Sequence, residues 1–280
     1  MRRRGRTTAT FDEQAIYEIL SQALLAARLS PGAKLGEHKL AELFGVSRER
    51  VRKVLHRLGH ERLIDVVPNR GAFVGAPGFK RARAVYEARR VVESGIVAQL
   101  ADHVTAKQLE RLQAHVAWEF DVARSDNRPL SIRLSMVFHM MLAEMTDNEF
   151  VTRQLQELVS RTAMLVAYFE PETASFCGCE EHQTIVEALA RRDLSGAARA
   201  MSTHLSLIET RLRPMRCEAV ELDIDAVLVQ EIKRFIRERT PEPGKAVRRG
   251  SSSNGRSTLH APNARDGSME ASRSSRSKGP

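Results

Sequence analysis

The sequence lacks the features of membrane and secreted proteins. It has no run of about 18 consecutive apolar residues, the length that a membrane-spanning helix needs. The basic residues 1–10 are not followed by the apolar core of a signal peptide. The three cysteines, Cys177, Cys179 and Cys217, are too few for a disulfide framework and are typical of a reducing compartment. These absences predict a cytoplasmic protein that does not enter a membrane.

The sequence also lacks an enzymatic motif. A histidine-based metal hydrolase would need an open coordination position and a general base close to the metal. No HExxH-type pair of histidines supplies that arrangement. We therefore expect a protein that is not an enzyme.

Positive charge is abundant but unevenly distributed. The net charge of +9 lies mostly in a basic N-terminal arm, residues 1–10, and in residues 241–280. The latter are rich in Pro, Gly, Ser and Arg and poor in apolar residues, which predicts a disordered basic tail. Basic ends add sequence-independent affinity for phosphates. The alternatives are a protein that coats nucleic acids nonspecifically and solvated tails without a specific role.

Apolar spacing and turn residues predict a first domain over residues 11–75. A length of 280 residues is typical of two domains. In the first we expect three helices followed by a two-stranded hairpin, at residues 16–27, 39–44, 48–58, 63–67 and 72–74. Gly45 permits the sharp turn before the third helix, and Ser47 is a good N-cap for it. This order is typical of a winged helix-turn-helix that binds DNA.

The third helix carries the candidate DNA contacts. Arg48 and Arg52 are four residues apart and share one face, so both guanidinium groups can enter the same major groove. Arg50 points to another side and is a candidate for phosphate contact. The alternative is a solvated basic helix in an ordinary helical domain.

Three segments of this domain resemble a known family. LSPGAKL at 29–35, LAELFGVSRERVR at 40–52 and PNRGAFV at 68–74 are similar to the winged helix-turn-helix of GntR-type regulators. The resemblance implies that Arg48 and Arg52 contact operator bases. It places Glu49 and Arg50 at positions that tune base choice, His38 at a contact position of the second helix, and Gly71 at the wing glycine. Ser47 is the helix-capping residue before Arg48 and a further candidate contact, and Arg70 at the hairpin tip can lie along an adjacent minor groove or the backbone. Glu49 replaces a residue that is often small and His38 one that is often arginine, so a typical family operator is not expected.

Residues 81–214 are predicted to form an all-helical domain after a linker at 76–80. Breaks in the helical pattern leave about six helices, and residues 215–240 can add one more. The segment YEARRVVE at 86–93, together with histidines farther along, resembles the FCD effector-binding and dimerisation domain of the FadR branch, in its shorter VanR-like form. The resemblance implies a homodimer that binds a palindromic operator on double-stranded DNA.

Three histidines are the candidate metal ligands. His139, His182 and His204 each lie beside the apolar face of a predicted helix, so they can converge on Zn²⁺, Ni²⁺ or a similar divalent ion. Metal-binding family members carry an Asp where Ser135 stands here. Without that Asp, the ligands of the metal would be three histidine nitrogens together with water or an effector carboxylate. A thiolate ligand from Cys179, a metal-free site and three unrelated core histidines are the alternatives.

Arg89 is the candidate effector-binding residue. The corresponding arginine of many family members faces the pocket, so the resemblance implies a bidentate contact with the carboxylate of a small organic acid. An ion pair with Glu93, one helical turn later, is the alternative. The expected function is a transcription regulator, and more specifically a repressor whose DNA affinity is linked to effector binding.

Overall fold

Helices make up most of the structure, which confirms the predicted fold class. The computed structural model describes residues 11–76, 78–125, 127–171, 178–214 and 223–239. The helices are α1 (Glu13–Leu25), α2 (Glu37–Phe44), α3 (Arg48–His60), α4 (Ala82–His103), α5 (Ala106–Ala123), α6 (Arg128–Glu144), α7 (Glu149–Phe169), α8 (Cys179–Ala190), α9 (Leu194–Arg211) and α10 (Ile224–Arg239). The strands are β1 (Lys34–Leu35), β2 (Ile64–Val67) and β3 (Gly71–Val74), and a 3₁₀ helix spans Phe79–Arg81.

Capping residues and a glycine turn delimit the first three helices, although α1 spans Glu13–Leu25 rather than the predicted residues 16–27. The Asp12 carboxylate accepts the backbone N–H of Ala15 at 2.7 Å and caps α1. The Ser47 hydroxyl accepts the backbone N–H of Arg50 at 3.3 Å and caps α3, as predicted. Gly45 ends α2 with a φ of +65°, a left-handed conformation that glycine adopts without a steric penalty. The chain therefore turns sharply from α2 into α3.

The wing contains one strand more than the sequence predicts. The three strands are antiparallel in the order β1-β3-β2, with Leu35 opposite Ala72 and Ile64 opposite Val74. β1 has two residues, too few to show the alternation by which strands are recognised. The predicted start of α2 at residue 39 is also wrong, because Glu37 already lies in the helix. Its first turn is polar and shows no apolar periodicity.

Six helices, α4 to α9, form the helical bundle, in agreement with the predicted number of about six. The long helix α4 packs against α6, α7, α8 and α9 and is therefore central to the bundle. The bundle core contains fully buried side chains from every helix, among them Tyr86, Leu112, Phe138, Leu155, Ile185, Leu189, Met201 and Leu205.

The predicted additional helix forms as α10, and it packs against α1 of the winged helix-turn-helix. Glu231 of α10 is 3% exposed and forms an ion pair with Arg28, which follows α1. The rings of Phe235 and Phe11 lie 6.3 Å apart, centroid to centroid. The predicted arm at 1–10, residues 215–222 and the predicted tail at 241–280 lie outside the described residues.

Helices α6 and α7 hold the winged helix-turn-helix against the bundle. The Tyr168 hydroxyl donates to the carbonyl of Leu29 at 2.5 Å, and the Ser160 hydroxyl donates to the carbonyl of Glu61 at 2.5 Å. The guanidinium of Arg133 lies 4.9 Å from the centre of the Tyr17 ring. These polar contacts are directional, so they define where the DNA-binding part sits on α6 and α7.

Candidate DNA-binding surface and candidate metal centre

The third helix presents a basic, solvent-facing side. Its apolar residues are buried against the rest of the domain, and they are Val51, Val54, Leu55 and Leu58. The opposite face leaves the side chains of Arg48 and Arg52 61% and 53% exposed. Both predicted contact residues therefore project into solvent from the first two turns of α3.

Glu37 joins these two arginines, a contact that the sequence analysis missed. Arg52 Nε and Nη2 donate to the two oxygens of the Glu37 carboxylate at 3.0 and 2.8 Å. Arg48 Nη2 lies 3.9 Å from the same carboxylate. The hydrogen bond from Arg52 is the main cause that lowers the pKa of Glu37. Glu37 lies on α2, so only the turn between α2 and α3 brings these side chains together.

The other predicted residues of the helix-turn-helix differ in their surroundings. Arg50 is half-buried, and its Nη1 donates to the carbonyl of Phe11 at 3.1 Å, just before α1. Glu49 is exposed. His38 is also exposed, with Nδ1 3.4 Å from the carboxylate of Glu42. Arg50 is thus attached to the start of α1, whereas the other two side chains face solvent.

The tip of the wing is exposed and narrow. Asn69 and Gly71 adopt positive φ values of +59° and +102°, which fold the strands back within a few residues. Arg70 lies between them, with its guanidinium 5.8 Å from the centre of the Phe73 ring. A side chain at position 71 would be strained by this backbone conformation.

The three predicted metal-ligating histidines converge in the bundle. His139 of α6, His182 of α8 and His204 of α9 are all at most 1% exposed. The Nε2 atom of His204 lies 3.2 Å from that of His182 and 3.3 Å from that of His139. The Phe138 ring stacks on His182, with 3.9 Å between the ring centres, and so restricts its orientation. One ligand atom from each histidine can face a single ion.

Carboxylates lie beside the outer nitrogens of these rings. His139 Nδ1 lies 2.5 Å from a Glu93 oxygen, and His182 Nδ1 lies 2.7 Å from a Glu119 oxygen. The Nδ1 atom of His204 lies 3.8 Å from Glu181. Neither Glu93 nor Glu119 was predicted as part of this site. The available signal was their position on the buried faces of α4 and α5, where a glutamate needs a partner.

The electrostatics of the cluster favour neutral rings at His139 and His204 beside ionised carboxylates at Glu93 and Glu119. Burial raises the pKa of Glu93, but the charge of Arg89 and the contact with His139 outweigh it and lower the pKa to about 2. Burial likewise raises the pKa of Glu119, but the contacts with His182 and His115 outweigh it and lower the pKa to about 2. Burial lowers the pKa of His139 to about 4.

This arrangement fits a divalent cation. A carboxylate beside Nδ1 favours the tautomer that carries its proton there and leaves the lone pair on Nε2, and Glu93 and Glu119 lie beside the Nδ1 atoms of His139 and His182. The Nε2 atom of His204 lies within 3.3 Å of both of these Nε2 atoms, and burial together with neighbouring charges lowers the pKa of His204. A neutral imidazole has one proton to donate. A cation with affinity for imidazole nitrogen would engage all three Nε2 atoms.

A cavity lies beside the histidines and contains the predicted effector residue. Arg89 is 3% exposed; its Nε donates to Glu93 at 2.5 Å and its Nη1 to the Thr162 hydroxyl at 2.8 Å. Its Nη2 has no hydrogen-bond partner among the described residues. Arg89 thus both pairs with Glu93 and faces the cavity, so the two alternatives are not exclusive. Ser135 lines the same cavity.

Cys179 does not supply the thiolate ligand that was one alternative for the metal site. It is disulfide-bonded in the structure and 2% exposed. Its sulfur is therefore not a thiolate ligand, and the prediction of cysteines without disulfides is wrong at this position. Disulfide pairing depends on spatial proximity, which residue spacing does not determine. Cys177 and Cys217 lie outside the described residues.

Two family models match the chain. "Bacterial regulatory proteins, gntR family" matches residues 13–74, and "FCD domain" matches residues 84–207. These ranges correspond to the winged helix-turn-helix and to most of the α4–α9 bundle. The chain belongs to the GntR family of bacterial regulatory proteins and carries an FCD domain. It is a DNA-binding transcription regulator and, as expected, not an enzyme.

Curated relatives support this assignment. The chain is 26% identical to the HTH-type transcriptional repressor RspR of Escherichia coli K12, over 73% of this chain and 90% of that protein. It is 27% identical to the HTH-type transcriptional regulator LutR of Bacillus subtilis, over 65% of this chain and 92% of that protein. One of these relatives is named as a repressor.

Solved structures share the fold. The chain resembles E. coli McbR/YncC with a TM-score of 0.57 and 20% identity, over 70% of this chain and 93% of that one. A putative GntR regulator from Rhodococcus sp. RHA1 gives a TM-score of 0.55 and 22% identity, over 71% and 95%. Among the described residues no helix is long and apolar enough to span a bilayer. The cytoplasmic location stays a prediction.

Proposed function

We propose that this regulator is a repressor whose affinity for its operator falls when a small carboxylic acid binds in the helical bundle. One observation carries this proposal: a single cavity contains three converging histidine nitrogens and an arginine with a free guanidinium nitrogen. Buried groups of this kind are costly without a ligand, so they are typical of a binding site.

In the proposed DNA complex, Arg48 and Arg52 contact base edges in the major groove. Their exposure at the start of α3 supports this role, and Ser47 and Glu49 border the same surface. Glu37 orders the Arg52 side chain before DNA binds, which reduces the entropy lost on association.

The remaining predicted contacts are assigned to the DNA backbone. Arg70 and Gly71 at the wing tip reach a neighbouring groove or phosphate, where the exposed tip can approach closely. Arg50 keeps donors other than Nη1 for a phosphate, and His38 is the exposed contact of α2.

A divalent ion of the Zn²⁺ or Ni²⁺ class completes the bundle site in this proposal. His139, His182 and His204 would hold it through Nε2, and Glu93 and Glu119 would orient two of the rings. When bound, such an ion supplies an electrophilic position to which a carboxylate can coordinate. Arg89 Nη2 lies in the same cavity and would donate to that carboxylate.

The route from this site to DNA runs through α6 and α7. Helix α6 carries His139 at the site and Arg133 on the Tyr17 ring. Helix α7 carries Thr162, which accepts from Arg89, and Tyr168, which donates to the winged helix-turn-helix. A ligand that shifts either helix therefore changes the seating of the DNA-binding part, and binding at the two sites is linked reciprocally.

A homodimer formed by the helical domains would present two α3 helices to a palindromic operator. This proposal is tested by mapping the bound sites on genomic DNA and then footprinting one of them. We expect protection of a short palindrome that small carboxylic acids release. Sequence-independent protection with a steep salt dependence would instead indicate nonspecific coating.

Replacing Glu119 by Gln should weaken metal binding while the bundle stays folded. The uncharged amide makes His182 a poorer ligand, so we expect affinity for Zn²⁺ to fall by about 10- to 100-fold. Titration against a chromophoric chelator measures this. Glu110→Gln, an exposed position on the same helix, is the matched control and should bind as the wild type does. Equal affinities for the two variants would contradict the assigned role of Glu119.

A further inference from the structure

A second buried polar group faces the cavity beside the histidines. Tyr86 is fully buried, and its hydroxyl has no hydrogen-bond partner among the described residues. It lines the same cavity as Arg89 and precedes it by three residues on α4, so both point from one helix face. Nothing in the metal site or in the proposed carboxylate contact uses this hydroxyl.

An unpartnered buried hydroxyl is unusual and costs stability. The described residues around Tyr86 do not offer its hydroxyl a structural hydrogen bond. Glu170, which also lines the cavity, already accepts from Arg211 Nε at 2.7 Å. The phenol is therefore available to a molecule in the cavity, to which it can donate or from which it can accept a hydrogen bond.

The cavity also limits the size of that molecule. Its volume open to the centre of a water-sized sphere is about 60 Å³. One water needs about 10–15 Å³ by this measure, so the cavity has the space of about four to six waters. We therefore consider a short acid of two or three carbons as the ligand.

We propose that Tyr86 is the residue that selects a short hydroxy acid over the corresponding acid without a hydroxyl. Arg89 Nη2 donates to the carboxylate of the ligand, and the Tyr86 phenol forms a hydrogen bond with the hydroxyl of the ligand. The proposal rests on the effector site described above and adds the feature by which that site distinguishes among acids. An acid that lacks the hydroxyl would leave the phenol buried and unpaired, which is the usual origin of such discrimination.

Calorimetric titration of the purified full chain tests this, with glycolate against acetate and lactate against propionate as probes. Wild-type protein should bind the hydroxylated member of a pair tighter by about tenfold, the equivalent of one hydrogen bond. Tyr86→Phe should bind both members alike. Tyr168→Phe is the matched control, since it removes a buried hydroxyl outside the cavity, and it should keep the wild-type preference.

Thermal unfolding of the ligand-free variants gives a second readout. Tyr86→Phe removes an unpaired hydroxyl, so its Tm should equal or exceed that of the wild type. Tyr168→Phe removes a hydrogen bond to Leu29, so its Tm should fall. A preference for hydroxy acids that survives in Tyr86→Phe, or a fall in its Tm like that of the control, would overturn the role of Tyr86 alone. If no acid binds the wild type at millimolar concentration, the effector site itself is refuted.

Discussion

Replacing Arg48 or Arg52 by Ala should lower affinity for the mapped operator by roughly 5- to 150-fold, the range expected for a lost base contact. Both side chains project from α3 into solvent, and neither supports the domain core. The variants should therefore fold as the wild type does. Electrophoretic mobility shifts on the operator and on a scrambled duplex of equal length measure the effect.

Comparing the operator with the scrambled duplex distinguishes contacts to bases from contacts to phosphates. Loss of a base contact weakens binding to the operator more than to the scrambled duplex, whereas loss of a phosphate contact weakens both alike. Arg83→Ala is the control, because this exposed arginine lies on α4 and pairs with Glu87. Wild-type operator affinity in both α3 variants would remove α3 from the proposed interface.

Replacing His139 by Ala should abolish stoichiometric metal binding. The change removes one of three converging Nε2 atoms. Loss of a carboxylate that only orients a ligand lowers metal affinity by up to roughly 100-fold, so loss of the ligand itself should lower it further. Elemental analysis of protein purified without a histidine tag checks this. His204→Asn gives a second test that removes less buried volume.

The control for the metal prediction is His103→Ala, an exposed histidine at the end of α4. It should leave the metal content unchanged. A wild-type protein without stoichiometric metal, or a His139→Ala variant that retains it, would refute the proposed ion. In either case the cavity would remain a candidate for a metal-free effector site, with Arg89 as its anion contact.

Local features of the chain were predictable because they depend on neighbouring residues. The Ser47 cap, the Gly45 turn and the apolar spacing around Arg48 and Arg52 define α3 within a few residues of sequence. The breaks between the bundle helices are equally local. The missed strand β1 and the early start of α2 show the limit, since two-residue and polar segments carry little periodic signal.

The sequence alone determined the order of the domains, the basic face of α3 and the three histidines on apolar helix faces. Only the tertiary structure decided that Glu93 and Glu119 face those histidines, that Glu37 joins Arg52, and where α10 packs. The reason is physical. Helix spacing specifies which side of a helix is buried, whereas the partner of a buried charged or polar group depends on which helices meet there and on the angle at which they cross.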